Sequence, residues 1–232
     1  MSSRAVLAGL IAIALLAACS ASPSASTIDP SNFVSRVDNP WLPMVPGTTF
    51  RYEGTRDGKA AVDIVEVTAE TKVIDGVTCV LIRDTLTLDG VLAEKTDDWY
   101  VQDKDGNVWY FGEQTATLDT AGNVTDTAGS WQAGVNGAVP GIFMPAKPEI
   151  GQSFRQEYLA GEAEDHFVIL LLDQRVEVPY RSFDKALITA EWTPLEPDVL
   201  SEKAYANGIG QIDEKDVAGG NEELHLVSVA NP

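Results

Sequence analysis

The sequence predicts an all-β protein, an antiparallel up-and-down meander duplicated into one curved sheet or half-barrel. Three observations carry that prediction. Four Asp-Gly pairs, Asp57-Gly58, Asp75-Gly76, Asp89-Gly90 and Asp105-Gly106, each lie between β-rich stretches. Asp-Gly favours positive φ at the centre of a turn and so matches the twist of tight hairpins. The pairs are 18, 14 and 16 residues apart, which leaves room for one strand between successive turns. Helical periodicity is hard to find beyond the N-terminal leader. Finally, Pro46-Gly47-Thr48-Thr49-Phe50-Arg51 aligns with Ile150-Gly151-Gln152-Ser153-Phe154-Arg155 at an offset of 104 residues, and Ile64, Val65 and Val67 fall on Val168, Ile169 and Leu171 at the same offset. After a two-residue slip, Leu81-Ile82 falls on Leu187-Ile188. A repeat of this length predicts a duplicated meander.

Taken in order, residues 1–18 form an export leader: Arg4 precedes an unbroken apolar run from Ala5 to Ala18, too short to span a bilayer. Leu16-Ala17-Ala18-Cys19 closes it with small residues before a cysteine, so Cys19 is the expected lipidation site. That places the protein in the cell envelope, on the extracytoplasmic side of a bacterial membrane and held through lipid. Residues 19–38 then read as lipidated cysteine and flexible spacer, the stretch from Ser20 to Ser31 being rich in Ser and Ala.

The rest, residues 39–232, reads as a single β domain of two related halves, about 46–127 and 150–229, joined by a Gly/Pro-rich segment at 128–149. Asn39 to Gly47 is an extended, proline-pinned lead-in to the first strand. Val65, Val67 and Ala69 alternate with Glu66, Thr68 and Glu70, giving one buried and one wet face. In contrast, Val80-Leu81-Ile82 and Phe167 to Leu172 are apolar on both faces and need cover on both sides. No helix is evident to supply that cover. The long segment 128–149 carries Trp131, Ile142, Phe143 and Met144, and a segment of this kind is expected to fold back over the concave face.

The formal net charge is −19, a field that repels phosphate backbones and disfavours nucleic acid as a partner. A hydrophobic content of 44% is enough for a core without metals or disulfides. With Cys19 lipidated, Cys79 has no partner, and its apolar surroundings predict a buried, inert thiol. Two histidines, His166 and His225, in strand contexts do not make a zinc site and read as structural. Asp103 to Asn107 lacks the third ligand of a calcium loop and has β-like flanks, so it reads as a hairpin turn. No metal site is expected, the nearest candidates being Glu162, Glu164 and Asp165 beside Glu157. Such a run is usually a solvated hairpin end.

The segments Asn39-Pro40-Trp41-Leu42-Pro43 with Pro46-Gly47-Thr48-Thr49-Phe50, Asp98-Trp99-Tyr100 with Asp105 to Glu113, and Phe154 to Tyr158 with Gly161 to Asp165 resemble a large family of exported bacterial proteins of unassigned function. The ending Tyr205-Ala206-Asn207-Gly208-Ile209-Gly210 is similar to that of bacterial envelope β-sheet proteins of unknown function. The resemblance implies an antiparallel β fold and carries no catalytic or ligand assignment. The function expected from the sequence is therefore non-catalytic binding, of an apolar or saccharide ligand or of a protein partner, without a cofactor. Aromatic and apolar anchors Trp99, Trp109, Trp131, Phe143 and Met144 are the candidate ligand contacts. A purely structural or assembly role is the alternative, and a carboxylate-based hydrolase is the third.

Overall fold

The structure is a computed structural model and describes residues 28–231. The leader and Cys19 lie outside the described residues. The first arm contains β1 (Phe33–Val34), β2 (Thr49–Arg56), β3 (Lys59–Ile74), β4 (Val77–Leu88), β5 (Val91–Asp103), β6 (Val108–Leu118), β7 (Val124–Asp126), β8 (Trp131–Gln132) and β9 (Val139–Met144). The second contains β10 (Ser153–Arg155), β11 (Glu157–Tyr158), β12 (His166–Val178), β13 (Arg181–Trp192), β14 (Leu200–Ala206), β15 (Gly210–Ala218) and β16 (Glu223–Ala230). All pairings are antiparallel, and one sheet runs from β10 through β12 to β16, then β2 to β6, and ends on β9 and β11.

The two ends of that sheet are consecutive in the chain, and this makes the sheet a nearly closed barrel with one seam. Arg155 pairs with His166 on β12, whereas Glu157 pairs with Pro140 on β9. The backbone switches partner at Gln156, whose N–H still reaches the Asp165 carbonyl at 2.8 Å. Gly141 is required here, because a Cβ would collide with the Arg155 carbonyl. At the opposite junction, between β16 and β2, Gly54 faces the Glu223 carbonyl in the same way. Closure removes the open edges that a sheet of this length would otherwise expose.

Local chemistry explains the hairpins. Asp57-Gly58, Asp75-Gly76 and Asp89-Gly90 all have positive φ at both residues, the geometry of the two-residue turn that continues strand twist. Asp105-Gly106 differs, with positive φ at Gly106 and not at Asp105. Asp103 holds that turn by accepting from the N–H groups of Asp105 and Asn107 and from Trp109 Nε1 at 2.8 Å.

Segment 128–149 was expected to lie over the concave face. Its longest strand instead becomes wall: β9 pairs with β6 on one side and β11 on the other. Cover for the outer face of β5 and β6 comes from Phe33 and from the early part of the same segment, around Ala133. Phe33 packs edge-on against Phe111 and Trp109, at 5.3 and 6.0 Å between centroids, and Ala133 N–H bonds the Phe111 carbonyl at 2.9 Å. Part of the stretch expected as spacer is thus packed, and Val37 is buried and bridged to Met44.

One end of the barrel is roofed by the segment after Val37. Asn39 pins it from a fully buried position: its N–H reaches Gln102 Oε1 at 2.7 Å, its Nδ2 donates to the Gly106 and Pro145 carbonyls, and its Oδ1 accepts from Trp41 N–H at 2.8 Å. Pro40 accepts from Gly208 N–H at 2.7 Å, tying the roof to the β14–β15 turn. Near the other end, Arg56 of β2 lies between Glu94 of β5 and Glu222, at 3.8 and 3.7 Å.

Candidate functional site

Along each wall strand every second side chain points inward, and the inward set changes character down the barrel. Near the roof it is apolar. Phe50, Val65, Val67 and Ile82 line a cavity of about 210 Å³ together with Met44 and Leu42 of the roof. Lower down the same cavity meets Asp63 of β3, Asp84 of β4 and Asp98 of β5. A second cavity of about 210 Å³ lies beyond, lined by Tyr100, Tyr110, Phe143, Glu113, Gln156 and Glu157. A third, about 150 Å³, opens toward Asp165, Thr193 and Glu196. Lys203 lines all three.

Lys203 is held between two strands: its Nζ is 3.1 Å from Glu191 on β13 and 3.4 Å from Glu214 on β15. Glu191 also accepts from the Thr189 hydroxyl at 2.9 Å. Across the lumen, the Tyr110 hydroxyl lies 2.5 Å from Asp98 Oδ1 and 2.8 Å from Glu113 Oε2. One phenol thus bridges two carboxyls that face each other across β5 and β6. The Tyr100 and Tyr110 rings stack at 4.7 Å, with Phe143 edge-on to both.

These carboxyls outnumber the cation that faces them, and burial shifts them toward the neutral form. Desolvation raises Asp98 to about 7, with the neighbouring Asp97 charge acting the same way and the Tyr110 hydrogen bond opposing it. Desolvation and the Asp98 charge raise Glu113 to about 8. Glu157 rises furthest, to about 9, through desolvation followed by the charges of Asp165 and Glu113. Asp63 and Asp84 are both raised, by desolvation first, with the Asp63 charge adding at Asp84. Near neutral pH much of the lumen therefore stores protons.

Four buried side-chain atoms among the described residues lack a hydrogen bond of good geometry: Asp63 Oδ1, Gln156 Nε2, Glu157 Oε2 and Trp131 Nε1. Their residues are 8, 4, 7 and 4% exposed. Buried polar groups of this kind are normally satisfied, and here the Trp131 indole faces the Glu157 carboxyl while Asp63 and Asp84 hydrogen-bond each other.

The sequence-derived candidates are brought together only in part, Phe143 and Trp131 both packing on Tyr110. Phe143 lines the lumen. Trp99 and Trp131 share a neighbouring hollow with Lys72, whose Nζ sits 3.5 Å above the Trp99 ring, and the Trp131 ring also packs edge-on against Tyr110 at 5.4 Å. Trp109 borders a surface recess beside Asp103 and Phe33, and Met144 is wholly buried. Of the acidic run, Glu162 is exposed and Glu164 accepts from Gly161 N–H at 2.8 Å, closing a hairpin end. Asp165 stands at the mouth of the lumen. His166 bonds the Glu164 carbonyl and stacks on Trp192, while His225 pairs with Asp213 and Glu223. Cys79 is fully buried, and desolvation pushes its thiol up to about 12. Sequence reading missed Lys203, Glu191, Glu214, Asp63, Asp84 and Asp98. The available signal was a carboxylate at an inward position within an otherwise apolar alternation, as in Ala61-x-Asp63-x-Val65-x-Val67.

No family profile matches the chain, and no curated protein matches it. Two solved structures are similar: a candidate exported protein with a YmcC-like fold from Bacteroides fragilis and a candidate lipoprotein from Parabacteroides distasonis. The first is 13% identical with a TM-score of 0.47, covering 82% of this chain and 99% of that one. The second is 12% identical with a TM-score of 0.41, covering 82% and 98%. At TM-scores below 0.5 nothing about the function of this chain follows from either.

Proposed function

We propose that the protein is a lipid-anchored, non-catalytic envelope protein that holds a small, slender ligand inside its barrel. The supporting observation is the set of three neighbouring chambers that share Lys203, inside a barrel with more strands than the roughly eight whose side chains fill the interior. The same lumen is apolar under the roof and acidic toward Asp165, which suits a ligand with an aliphatic part and a polar end. At about 210 Å³ the larger chambers fall below the roughly 300 Å³ of ordinary small-molecule pockets. Among the alternatives the sequence left open, that size favours a narrow, partly apolar ligand over a saccharide. The anchor rests on Leu16-Ala17-Ala18-Cys19, and among the described residues no helix is long and apolar enough to cross a membrane. The reading of two related halves is supported by matching turns, where Gly47 and Gly151 N–H groups bond the Val67 and Ile169 carbonyls.

A thermal-shift panel of short fatty acids, alcohols, sugars and amines tests the proposal. A true ligand at a hundred times its Kd adds about 2.7 kcal/mol, a rise of about 5–10 °C in Tm for a domain of this size. Val65→Phe, which fills the apolar chamber, should abolish the shift. No stabilising compound in the panel, or a shift that survives Val65→Phe, would leave the scaffold role in its place.

A further inference from the structure

We propose that residues 37–44 form a flap over the apolar chamber, latched by Asn39, and that this flap is the door through which a guest enters the barrel. The proposal rests on reading the barrel as a small-ligand binder and adds the route and its control.

The flap is a closed unit. Val37 bridges Met44, whose N–H reaches the Val37 carbonyl at 3.0 Å, and Leu42 N–H turns back to the Asn39 carbonyl at 3.2 Å. Asn39 Oδ1 takes Trp41 N–H inside the same loop. Among the described residues, the backbone groups of 41–46 bond only to Val37, Asn39 and Thr48, and none of these bonds joins a wall strand. Leu42, Pro43 and Met44 nevertheless line the chamber. Their cover is side-chain packing, which breaks and reforms without unravelling the sheet.

Attachment is concentrated at one residue. Asn39, 1% exposed, gives its Nδ2 to the Gly106 carbonyl at 2.9 Å and to the Pro145 carbonyl at 3.2 Å. Its N–H and that of Asp38 share Gln102 Oε1, and Gln102 Nε2 returns a bond to Asp38 Oδ1 at 2.7 Å. Gly208 N–H on the Pro40 carbonyl completes the latch from the β14–β15 turn. The connections on either side are free to swing. Ser35 and Arg36 before the flap and residues 45–47 after it are exposed, and Gly47 sits at φ +91°, where a glycine turns without strain. Segments with so few buried contacts open at the low end of the local stability range.

The other approach to the chamber is polar. A guest arriving past Asp165 meets Glu191, Glu214, Lys203 and Asp98 before it reaches Phe50, Val65, Val67 and Ile82. An apolar chain gains nothing along that path, whereas beneath the raised flap it passes from Leu42 and Met44 directly onto the apolar wall. Once seated, the chain offers Leu42 and Met44 a surface to bury against, so occupancy favours the closed flap.

Thiol labelling of the full chain carrying Cys19→Ser and Val67→Cys tests this, with methyl methanethiosulfonate as reagent and mass spectrometry reading each site. Val67 lines the chamber and is 2% exposed, while Cys79, fully buried away from the chamber lining, reports wider unfolding. The thiol at position 67 should react more than about tenfold faster than Cys79, at a rate that barely changes up to about 1 M urea, because raising a flap exposes little surface. Asn39→Ala, which removes the bonds to Gly106 and Pro145, should speed labelling at position 67 about tenfold and leave Cys79 as it was. Gln102→Ala, which removes the acceptor shared by the Asp38 and Asn39 N–H groups, should act alike. Equal rates at the two sites with one urea dependence would mean that the chamber is reached only by global unfolding, and would overturn the flap. Fast labelling at position 67 that both variants leave unchanged would route entry past Asp165 and overturn it too. Flap opening as expected, with no stabilising compound in the thermal-shift panel, would support the flap and count against the small-ligand reading alone.

Discussion

Stability should fall as pH rises from 5 to 8, and Glu157→Gln should remove part of that fall. Glu157 is 7% exposed and its carboxyl is raised to about 9 by burial and by the charges of Asp165 and Glu113. In the unfolded chain it titrates near 4.3. Between those values the folded protein holds a proton that the unfolded chain has released, so unfolding free energy declines with pH by about 1.4 kcal/mol per unit for this group. The contribution is fully present below the unfolded pKa and is lost as pH climbs through the folded one. From pH 5 to 7 Glu157 alone accounts for about 2.7 kcal/mol. Asp98 at about 7 and Glu113 at about 8 act in the same direction. Urea unfolding at each pH unit, with Cm and m fitted separately, measures the slope. Glu157→Gln keeps the shape and removes the titration, so its slope should be shallower by about one proton. A wild-type profile that is flat or rises across pH 5–8, or a variant with an unchanged slope, would refute the protonated-lumen account.

Four further outcomes are expected. Lys203→Met leaves Glu191 and Glu214 without their cation and should cost about 3 kcal/mol at pH 8, with a smaller loss at pH 5, read by urea unfolding. Gly141→Ala, which forces a Cβ onto the Arg155 carbonyl, should cost about 3 kcal/mol, and hydrogen exchange at Gln156 should report an opened seam. Removal of everything after Gly151 strips β2 of β16 and β9 of β11, so the fragment should aggregate; a monomeric, cooperatively folding 39–127 fragment would instead show independent halves. Metabolic labelling with a fatty-acid analogue should mark the wild type and not Cys19→Ser.

The all-β class and the hairpin succession were determined by the sequence itself, because a two-residue turn is a local event. Asp57-Gly58, Asp75-Gly76 and Asp89-Gly90 need only their own φ values to reverse the chain. Burial of Cys79 was legible for a similar reason, its neighbours in sequence being its neighbours in the wall. Barrel closure was not, since it depends on Gln156 handing one strand from β12 to β9, a choice between partners far apart in the chain. The lumen was decided by tertiary structure as well. Asp63, Asp98, Glu157 and Lys203 are separated by tens of residues and look like ordinary surface charges in a strongly acidic chain. Their facing one enclosed space follows from strand register, where a slip of one residue would turn each of them to solvent.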